Sequence, residues 1–392
     1  MIIHFLARSA QDWARGLLLN SSAEADVALG NQHLSAAVSW LERSIDVCHG
    51  CGSSKAFRFG KGWMPAYPET SGYIIPTLLM LGRRAGHAKE FQSRALRIGE
   101  WLMTIQQPTG GFLAGEIGAG KEPDVFDTGM ILLGFNALLH DTGTENVRTA
   151  AQGAAEFLVA SMDAEGCFVR HLSHGMLHAY NVRSAWALAG YAYISRAERF
   201  RTAALANAAW TVAQQNKAGL YNNNSFKPGW PANTHGLAYV MQGLLQIHEL
   251  TGSRECIESV IAAADKVRSL HDRHGWIAAE LYPTGEYASR HVCLTGYAQL
   301  AIVLYRIFQL TGDATYRNTA DHLLAAVART QYLQDSSKPY YGAIAGSYPI
   351  YGRYAPLQYP NWATKFFIDG LLAKGQTDSG VKTLDSLQLY AG

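Results

Sequence analysis

The sequence predicts an all-α chain folded as an (α/α)6 toroid, six inner helices ringed by six outer ones, on three observations. First, one pattern recurs six times along the chain: a Gly-aromatic turn, an irregular polar segment, then a helix that opens on small and polar residues. Second, the helix after each irregular segment is apolar around nearly its whole circumference, as an interior helix is. The helix that follows it carries charges on one face, as a solvent-facing helix does. Third, six helices of the first kind are followed by only five of the second. An amphipathic helix ahead of them all supplies the sixth and closes the ring. An open solenoid of helix pairs would need polar capping repeats, and the last unit ends without one.

The leading helix is Leu34–Val47, LSAAVSWLERSIDV, with apolar residues at helical spacing on one face. A Gly- and aromatic-rich loop, CHGCGSSKAFRFGKGWMPAYPET, then feeds the first inner helix from about Ser71. Its outer partner runs from Lys89 to Gln106 and stops at PTGGF, where Gly110 and Gly111 end it. Unit two reads FDTGMILLGFNALLHDTG, an outer helix at Val147–Met162 and DAEGCF. Unit three reads YNVRSAWALAGYAYI, Arg199–Asn216 and NKAGLY; unit four NTHGLAYVMQGLLQIHELTG, Arg254–His271 and RHGW. Unit five reads HVCLTGYAQLAIVLYRIFQLTG, Ala314–Gln331 and YYGAI; unit six YPNWATKFFIDGLLAKG and a short polar tail. The turn glycines Gly111, Gly166, Gly219, Gly275 and Gly342 set a period of about 55 residues, stretched before the last. No linker or composition shift interrupts the chain, so residues 34–375 read as one toroid, with an N-terminal extension at 1–33 and a tail at 376–392.

Composition narrows the function. At 48% hydrophobic and 16% charged residues the 392-residue chain has ample core, and a net charge of +2 spread singly forms no basic stripe for nucleic acid. No apolar run reaches the roughly 18–20 residues of a membrane span. The start, MIIHFLARSAQDWARGLLL, lacks a basic region, a long apolar core and a cleavage site. A cytoplasmic protein is expected, or a periplasmic or secreted one from which a signal has been removed. The five cysteines are odd in number and scattered, which fits reduced thiols, and the Cys48–Cys51 pair has no second pair to make a metal site. With no metal-spaced cluster, phosphate-binding glycine loop, GxSxG elbow or aspartate-rich motif, no metal or other cofactor is expected.

In a toroid the segments before the inner helices gather at one mouth. Here they are YPETSGY, VFDTG, HAYNVR, NTHGLAY, SRHVCLTG and YPNWA. Helix N-termini there suit an anionic or hydroxyl-rich ligand. Two carboxylates, Glu69 and Asp127, stand before adjacent inner helices, where they could reach the separation of about 5–9.5 Å used by glycosidase acid pairs. Each also reads as a capping or first-turn acid. Asp124 and Glu116 are reserve acids in the same loop.

A second group is neutral or basic: His178, Tyr180, Asn181 and Arg183 at the third unit, Asn233, His235 and Tyr239 at the fourth, Arg290 and His291 at the fifth. Such residues position a sugar, or serve proton transfer in elimination or epimerisation, with His235, Tyr239 and His291 as the transferring groups. Aromatic faces that suit sugar rings are Trp63, Tyr67, Tyr73, Trp230, Trp276, Tyr348, Tyr351, Tyr354, Tyr359 and Trp362, several in one Gly/Pro-rich loop read as a ligand wall. Asn224, at the end of an Asn222–Asn224 run, offers an amide to hydroxyls, and Asn361 stands with Trp362 before the last inner helix.

The runs YPETSGYIIPTLL, VFDTGMILLGF, YNVRSAWAL, NTHGLAYVMQGLL, CLTGYAQLAI and GSYPIYGRYAPLQYPNWATKFFIDGLL resemble bacterial (α/α)6-barrel proteins of the six-hairpin glycosidase superfamily associated with exopolysaccharide or surface-glycan clusters. The resemblance implies a carbohydrate-active enzyme, or a glycan-binding protein of polysaccharide biosynthesis, working on an oligosaccharide or polysaccharide. The basic residues near the mouth point to an acidic one. Unsaturated glucuronyl hydrolases are similar in fold and use carboxylates to which Glu69 and Asp127 correspond in kind. The NTHGLAY run is similar to the Asn-His motif and Tyr of (α/α) alginate lyases, at Asn233, His235 and Tyr239. N-acylglucosamine 2-epimerases share the toroid and use paired histidines, for which His235 and His291 are candidates. Hydrolysis by Glu69 and Asp127 leads this reading, with a uronate lyase, a sugar epimerase and a non-catalytic binding protein as alternatives.

Overall fold

The computed structural model describes residues 30–85, 88–119 and 122–380. In them outer helix α1 (Asn31–Asp46) precedes five hairpins of an inner and an outer helix. These are α2 (Pro68–Ala85) with α3 (Ala88–Ile105), α4 (Val125–Thr142) with α5 (Glu145–Ala160), and α6 (Val182–Ser195) with α7 (Glu198–Ala213). Next come α8 (Thr234–Thr251) with α9 (Arg254–His274), α10 (Leu294–Thr311) with α11 (Ala314–Thr330), and the last inner helix, α12 (Asn361–Asp378). Each inner helix packs on the next and α12 packs on both α2 and α1. The chain is the all-α (α/α)6 toroid that the alternation of helix types predicts.

Boundaries move for local reasons. Helix α2 begins at Pro68 rather than near Ser71 because proline, with φ preset and no N–H to lose, suits the first helical position. Helix α1 starts at Asn31, inside the expected extension, and α12 runs to Asp378, past the expected end of the toroid. Residues 1–29 and 381–392, most of the expected extension and tail, lie outside the described residues.

The two rings differ as their compositions require. Every residue of α4 from Asp127 to Leu139 and every residue of α8 from Thr234 to Ile247 is buried. Outer helix α9 buries only Cys256, Ser259, Val260, Ala263, Ala264, Val267 and Leu270, one stripe at spacings of three and four. Among the described residues no helix is long and apolar enough to cross a membrane.

Small residues set how closely the inner helices approach. A Cβ on Gly72 would lie 2.5 Å from the Ile131 Cα, and one on Gly134 would lie 2.4 Å from the Gly72 carbonyl oxygen. Pro76 lies four residues beyond Gly72 and has no N–H to offer that carbonyl, so the helix itself leaves it open. Glycine on both helices brings the first turns of α2 and α4 together, and those turns carry Glu69 and Asp127.

The turns after α3, α5, α7 and α11 each dock on an outer helix. Gly110 (φ +86°), Gly166 (φ +83°), Gly219 (φ +79°) and Gly342 (φ +84°) sit against backbone of residues 153, 206, 262 and 36. The first of these is Gly110, not Gly111 as the period suggests, since Gly110 takes the left-handed backbone. Gly342 meets α1 in the way the others meet α5, α7 and α9, so α1 completes the outer ring. Gln331 Nε2 donates to the His33 carbonyl (3.1 Å) and Trp40 Nε1 donates to the Pro339 carbonyl (2.9 Å) across that seam.

Short antiparallel strands, which the sequence reading did not expect, stitch the mouth. Strand β1 (Ala56–Arg58) pairs with β2 (Gly62–Trp63) and with β7 (Gln358–Pro360). Strand β3 (Ala232–Asn233) pairs with β4 (Glu280–Leu281), and β5 (Val292–Cys293) with β6 (Ser347–Tyr348).

Candidate active site

Three carboxyl groups converge at the first turns of α2 and α4. Asp124 is the N-cap of α4, its Oδ1 accepting from the N–H groups of Phe126 (2.7 Å) and Asp127 (3.3 Å). Asp127, which the sequence left open between cap and catalyst, is not the cap; its Oδ1 accepts from the Gly115 N–H (3.1 Å). Glu69 stands in the first turn of α2 beside the Tyr67 hydroxyl. All three are buried, at 8% exposure for Glu69, 5% for Asp124 and 6% for Asp127.

Burial raises all three, and repulsion adds to it at Glu69 and Asp127. Loss of water around Glu69, with Asp124 adding to it, lifts that carboxyl to about 7 against the opposing pull of Tyr67, Lys55 and Arg183. Asp124 rises to about 6, burial outweighing its two backbone N–H donors and its bond with the Asp127 carboxyl. Asp127 is pushed well above the carboxylate range by burial, then by Glu69 and Asp124. The cluster therefore retains a proton at neutral pH.

Aromatic rings enclose the cluster. Tyr180 is buried facing all three acids, its ring edge-on to Phe126 at 5.2 Å and tilted to Phe226 at 5.5 Å. Phe126 also meets Tyr239 at 5.1 Å. Tyr354 covers His235 at 5.4 Å, and its hydroxyl accepts from Trp362 Nε1 at 2.8 Å. Trp362 leans on Tyr67 at 6.2 Å. Beneath them the Arg183 guanidinium lies 4.7 Å from the Tyr239 ring centre and 5.7 Å from that of Tyr73, and donates to Gln242 and to the Met130 sulfur. At 1% exposure Arg183 lies below the reach of a substrate.

His235 faces the same space from the first turn of α8. Its Nδ1–H donates to Gln299 Oε1, and burial holds the ring neutral by lowering its pKa to about 3. Its ring lies 4.1 Å from that of Tyr239.

The structure keeps the other expected residues out of this group. His291 packs against Gly352 and faces Glu280 and Arg353. Arg290 is exposed on the adjoining turn. His178 stacks on Tyr180 at 4.5 Å and spends Nε2 on the Ser173 carbonyl (3.0 Å). Asn233 caps α8 by accepting from the His235 N–H (2.8 Å). Asn361 donates to Ser53 Oγ and Thr70 Oγ1 and so locks α12 to α2. Trp63 packs between Trp40 and Phe57.

The tyrosine-rich loop is packing before it is wall. Tyr359 is 1% exposed and stacked on Tyr340 at 5.5 Å; Tyr348 is buried on β6; Tyr351 is 49% exposed. Trp230 already carries the Arg353 guanidinium at 4.5 Å and the Lys227 ammonium at 4.9 Å. Asn181 and Asn224 are buried in the mouth segments with their side-chain oxygens unpartnered, open to donors such as hydroxyls.

Glu280 was missed by sequence reasoning, because it lies on a two-residue strand that no period reveals. It is buried and held by Arg353 through Nε–Oε1 (2.9 Å) and Nη2–Oε2 (2.5 Å), which fastens the 347–357 loop over the mouth. Arg353→Met strands that carboxylate. The expected loss is about 1–3 kcal/mol, discounted for the exposure of Arg353, with faster proteolysis of the loop as the measurement. Glu116, read as a reserve acid, pairs with Lys55 at 2.8 Å. Among the described residues no group of three His, Cys, Asp or Glu could hold a metal ion. Cys48 and Cys51 are free thiols in one turn, burial lifting Cys48 to about 11.

No family model matches the chain, and neither does any curated protein. Solved structures do. The (α/α)6 toroid is the fold they share. An unsaturated glucuronyl hydrolase specific for heparin superposes with a TM-score of 0.71 at 16% identity, over 90% of this chain and 98% of that one. The unsaturated glucuronyl hydrolase of Bacillus sp. GL1 gives 0.69 at 15%, over 90% and 98%. A D-mannose isomerase gives 0.69 at 11%, over 91% and 100%. At these identities the likeness is one of fold.

Proposed function

We propose that this toroid is a carbohydrate-processing enzyme that hydrolyses a glycosidic bond, with Asp127 as general acid and Glu69 as its ionised partner. The observation that carries the reading is the burial of Glu69, Asp124 and Asp127 in one cluster. Like charges this close do not all ionise, so one carboxyl stays protonated at neutral pH while another is free to ionise. That division is what protonation of a leaving oxygen, and attack by a base-activated water or a carboxylate, requires. Asp127, pushed well above the carboxylate range by burial and by its two acidic neighbours, protonates the leaving oxygen. Glu69, near 7 and hydrogen-bonded by Tyr67, acts as base or nucleophile. Asp124 positions Asp127 by capping its helix.

The glucuronyl hydrolases that share the fold lend support to glycoside chemistry. Their acidic substrate class is a weaker guide, because two mouth cations are already paired, Lys55 with Glu116 and Arg353 with Glu280. We read the substrate as an uncharged glycan, not the acidic one that the scattered basic residues suggested.

Aldose isomerisation or epimerisation is the second reading, favoured by His235, a neutral imidazole whose Nδ1–H is fixed on Gln299. The two separate in one experiment. Neutral aryl glycosides and oligosaccharides are incubated with the protein and followed for reducing ends, anomeric configuration by proton NMR, and carbon-bound deuterium in heavy water. Reducing ends without deuterium are expected, with a bell-shaped pH–rate profile whose acid limb lies near the Glu69 value of about 7. Deuterium at carbon without new reducing ends overturns hydrolysis in favour of His235.

A further inference from the structure

A groove opens beside the acid cluster, between Ala114 and residues 122–124 on one side and the 169–175 turn on the other. Its volume is about 570 Å³, inside the range of about 300–1,000 Å³ typical of small-ligand sites. Both walls are fixed. Ala114 N–H donates to the Glu122 carbonyl (3.1 Å), Val125 N–H to the His171 carbonyl (2.9 Å), and His178 Nε2 to the Ser173 carbonyl (3.0 Å).

Asp124, whose carboxyl bonds that of Asp127, lines the groove and joins it to the acid cluster. This placement matters, on the reading of Asp127 as the acid. The sugar that departs is attached to the oxygen Asp127 protonates, so it must lie on the acid's side of the scissile bond. The lining fits a pyranose: Pro123, Val169 and Leu172 offer apolar surface to C–H faces, while Ser173 and His174 offer polar groups to hydroxyl edges. Val169 is left 41% exposed on one wall, and Ile117 and Leu177 on nearby loops are also open to water, at 47% and 38%. Glu122 and Asp124 share the opposite wall, which sets its charge against a uronate or sulfated ring.

We propose that this groove is the subsite for the leaving sugar of the substrate, and that it takes an uncharged pyranose. The assignment rests on the glycosidase reading for its direction, and its test does not need turnover. Affinities of neutral mono-, di- and trisaccharides of glucose, mannose, galactose and rhamnose are measured by calorimetry and saturation-transfer NMR, beside disaccharides ending in glucuronate. In at least one series the disaccharide is expected to bind ten-fold or more tightly than the monosaccharide. Val169→Trp, which fills the groove, and Val169→Glu, which adds a third carboxylate, should each erase that gain in protein of unchanged circular dichroism. A glucuronate at the reducing end should erase it in the wild type. Equal affinity for one and two sugars, or a gain that survives both variants, overturns the assignment even if the protein is a hydrolase. A gain lost in both variants, with no hydrolysis of any sugar, leaves the groove standing and overturns the glycosidase reading.

Discussion

Asp127→Asn should abolish turnover and at the same time make the protein more stable at pH 8. Removing a general acid typically costs about 10²–10⁴-fold in rate. Asparagine keeps an oxygen for the Gly115 N–H and the shape of the side chain, so the fold has no reason to suffer. Stability moves the other way because of where these groups ionise. Unfolded carboxyls release their protons near pH 4, whereas Glu69 holds on to about 7, Asp124 to about 6, and Asp127 is also raised well above the carboxylate range. Their contribution to stability is complete below about pH 4 and is lost as pH rises through the folded values. With Asn at 127 the member whose ionisation Glu69 and Asp124 oppose no longer ionises. The gain over wild type should be on the order of 1–2 kcal/mol at pH 8 and shrink toward pH 5. His235 has the opposite sign: its pKa is depressed to about 3, so its contribution is present above about 6.5 and lost on acidification. It is common to both proteins, so melting the pair side by side at each pH cancels it. An inactive variant that melts below wild type at every pH would mean that Asp127 only holds structure.

Gly342→Ala should be the most damaging single methyl in the toroid. At φ +84° an L-residue costs about 1–2 kcal/mol, and the new Cβ would lie 2.0 Å from the Ala36 carbonyl oxygen. Relief requires moving the turn that carries the Gly342 and Tyr341 carbonyls, which accept from Gln331 Nε2 (2.8 Å) and Arg43 Nη2 (2.5 Å). The expected loss is about 3–5 kcal/mol, in the range reserved for strain and broken buried contacts. Gly143→Ala is the control, because Gly143 is also left-handed (φ +65°) but nothing lies within 4 Å of its added Cβ. It should cost only the backbone strain of about 1–2 kcal/mol. Equal melting temperatures for the two variants would show that the seam yields freely.

The sequence carried the toroid because its signals are long and periodic. The all-round apolar character of α4, α8 and α10 against the one-sided α9 is visible over whole helices. The surplus helix at the start could only be the sixth outer one. Glu69 and Asp127 were legible as a pair because both open apolar helices. What was hidden depends on contacts across hundreds of residues. Ala56 pairs with Pro360 through strands too short to show a period. The aromatic loop looked like a sugar wall, yet its residues divide between core, as Tyr359 does, and cover, as Tyr354 does, and composition does not tell the two apart. Asp124 was counted a reserve because a cap and a catalytic group use the same residue types; only the coordinates show that it takes the cap and leaves Asp127 free. His235 and His291 were candidates for a pair through the resemblance to epimerases; His235 faces Gln299 and Tyr239, His291 faces Glu280 and Arg353.

The docking of Gly342 on α1 also bears on how the molecule is assembled. The other outer turns meet the helix that follows them within about one unit, but this contact joins residues some 300 positions apart, as the 298-residue separation of His33 and Gln331 records. The joints at Gly110, Gly166 and Gly219 are therefore local and can form in succession as the chain emerges, while the one at Gly342 waits for nearly all of it. Until then α1 shows its apolar stripe, Ala37, Trp40, Leu41 and Ile45, to whatever surrounds it. A nascent toroid is a curved row of hairpins with one adhesive edge at its beginning, and a second chain offering the Gly342 turn would satisfy that edge as well as its own would.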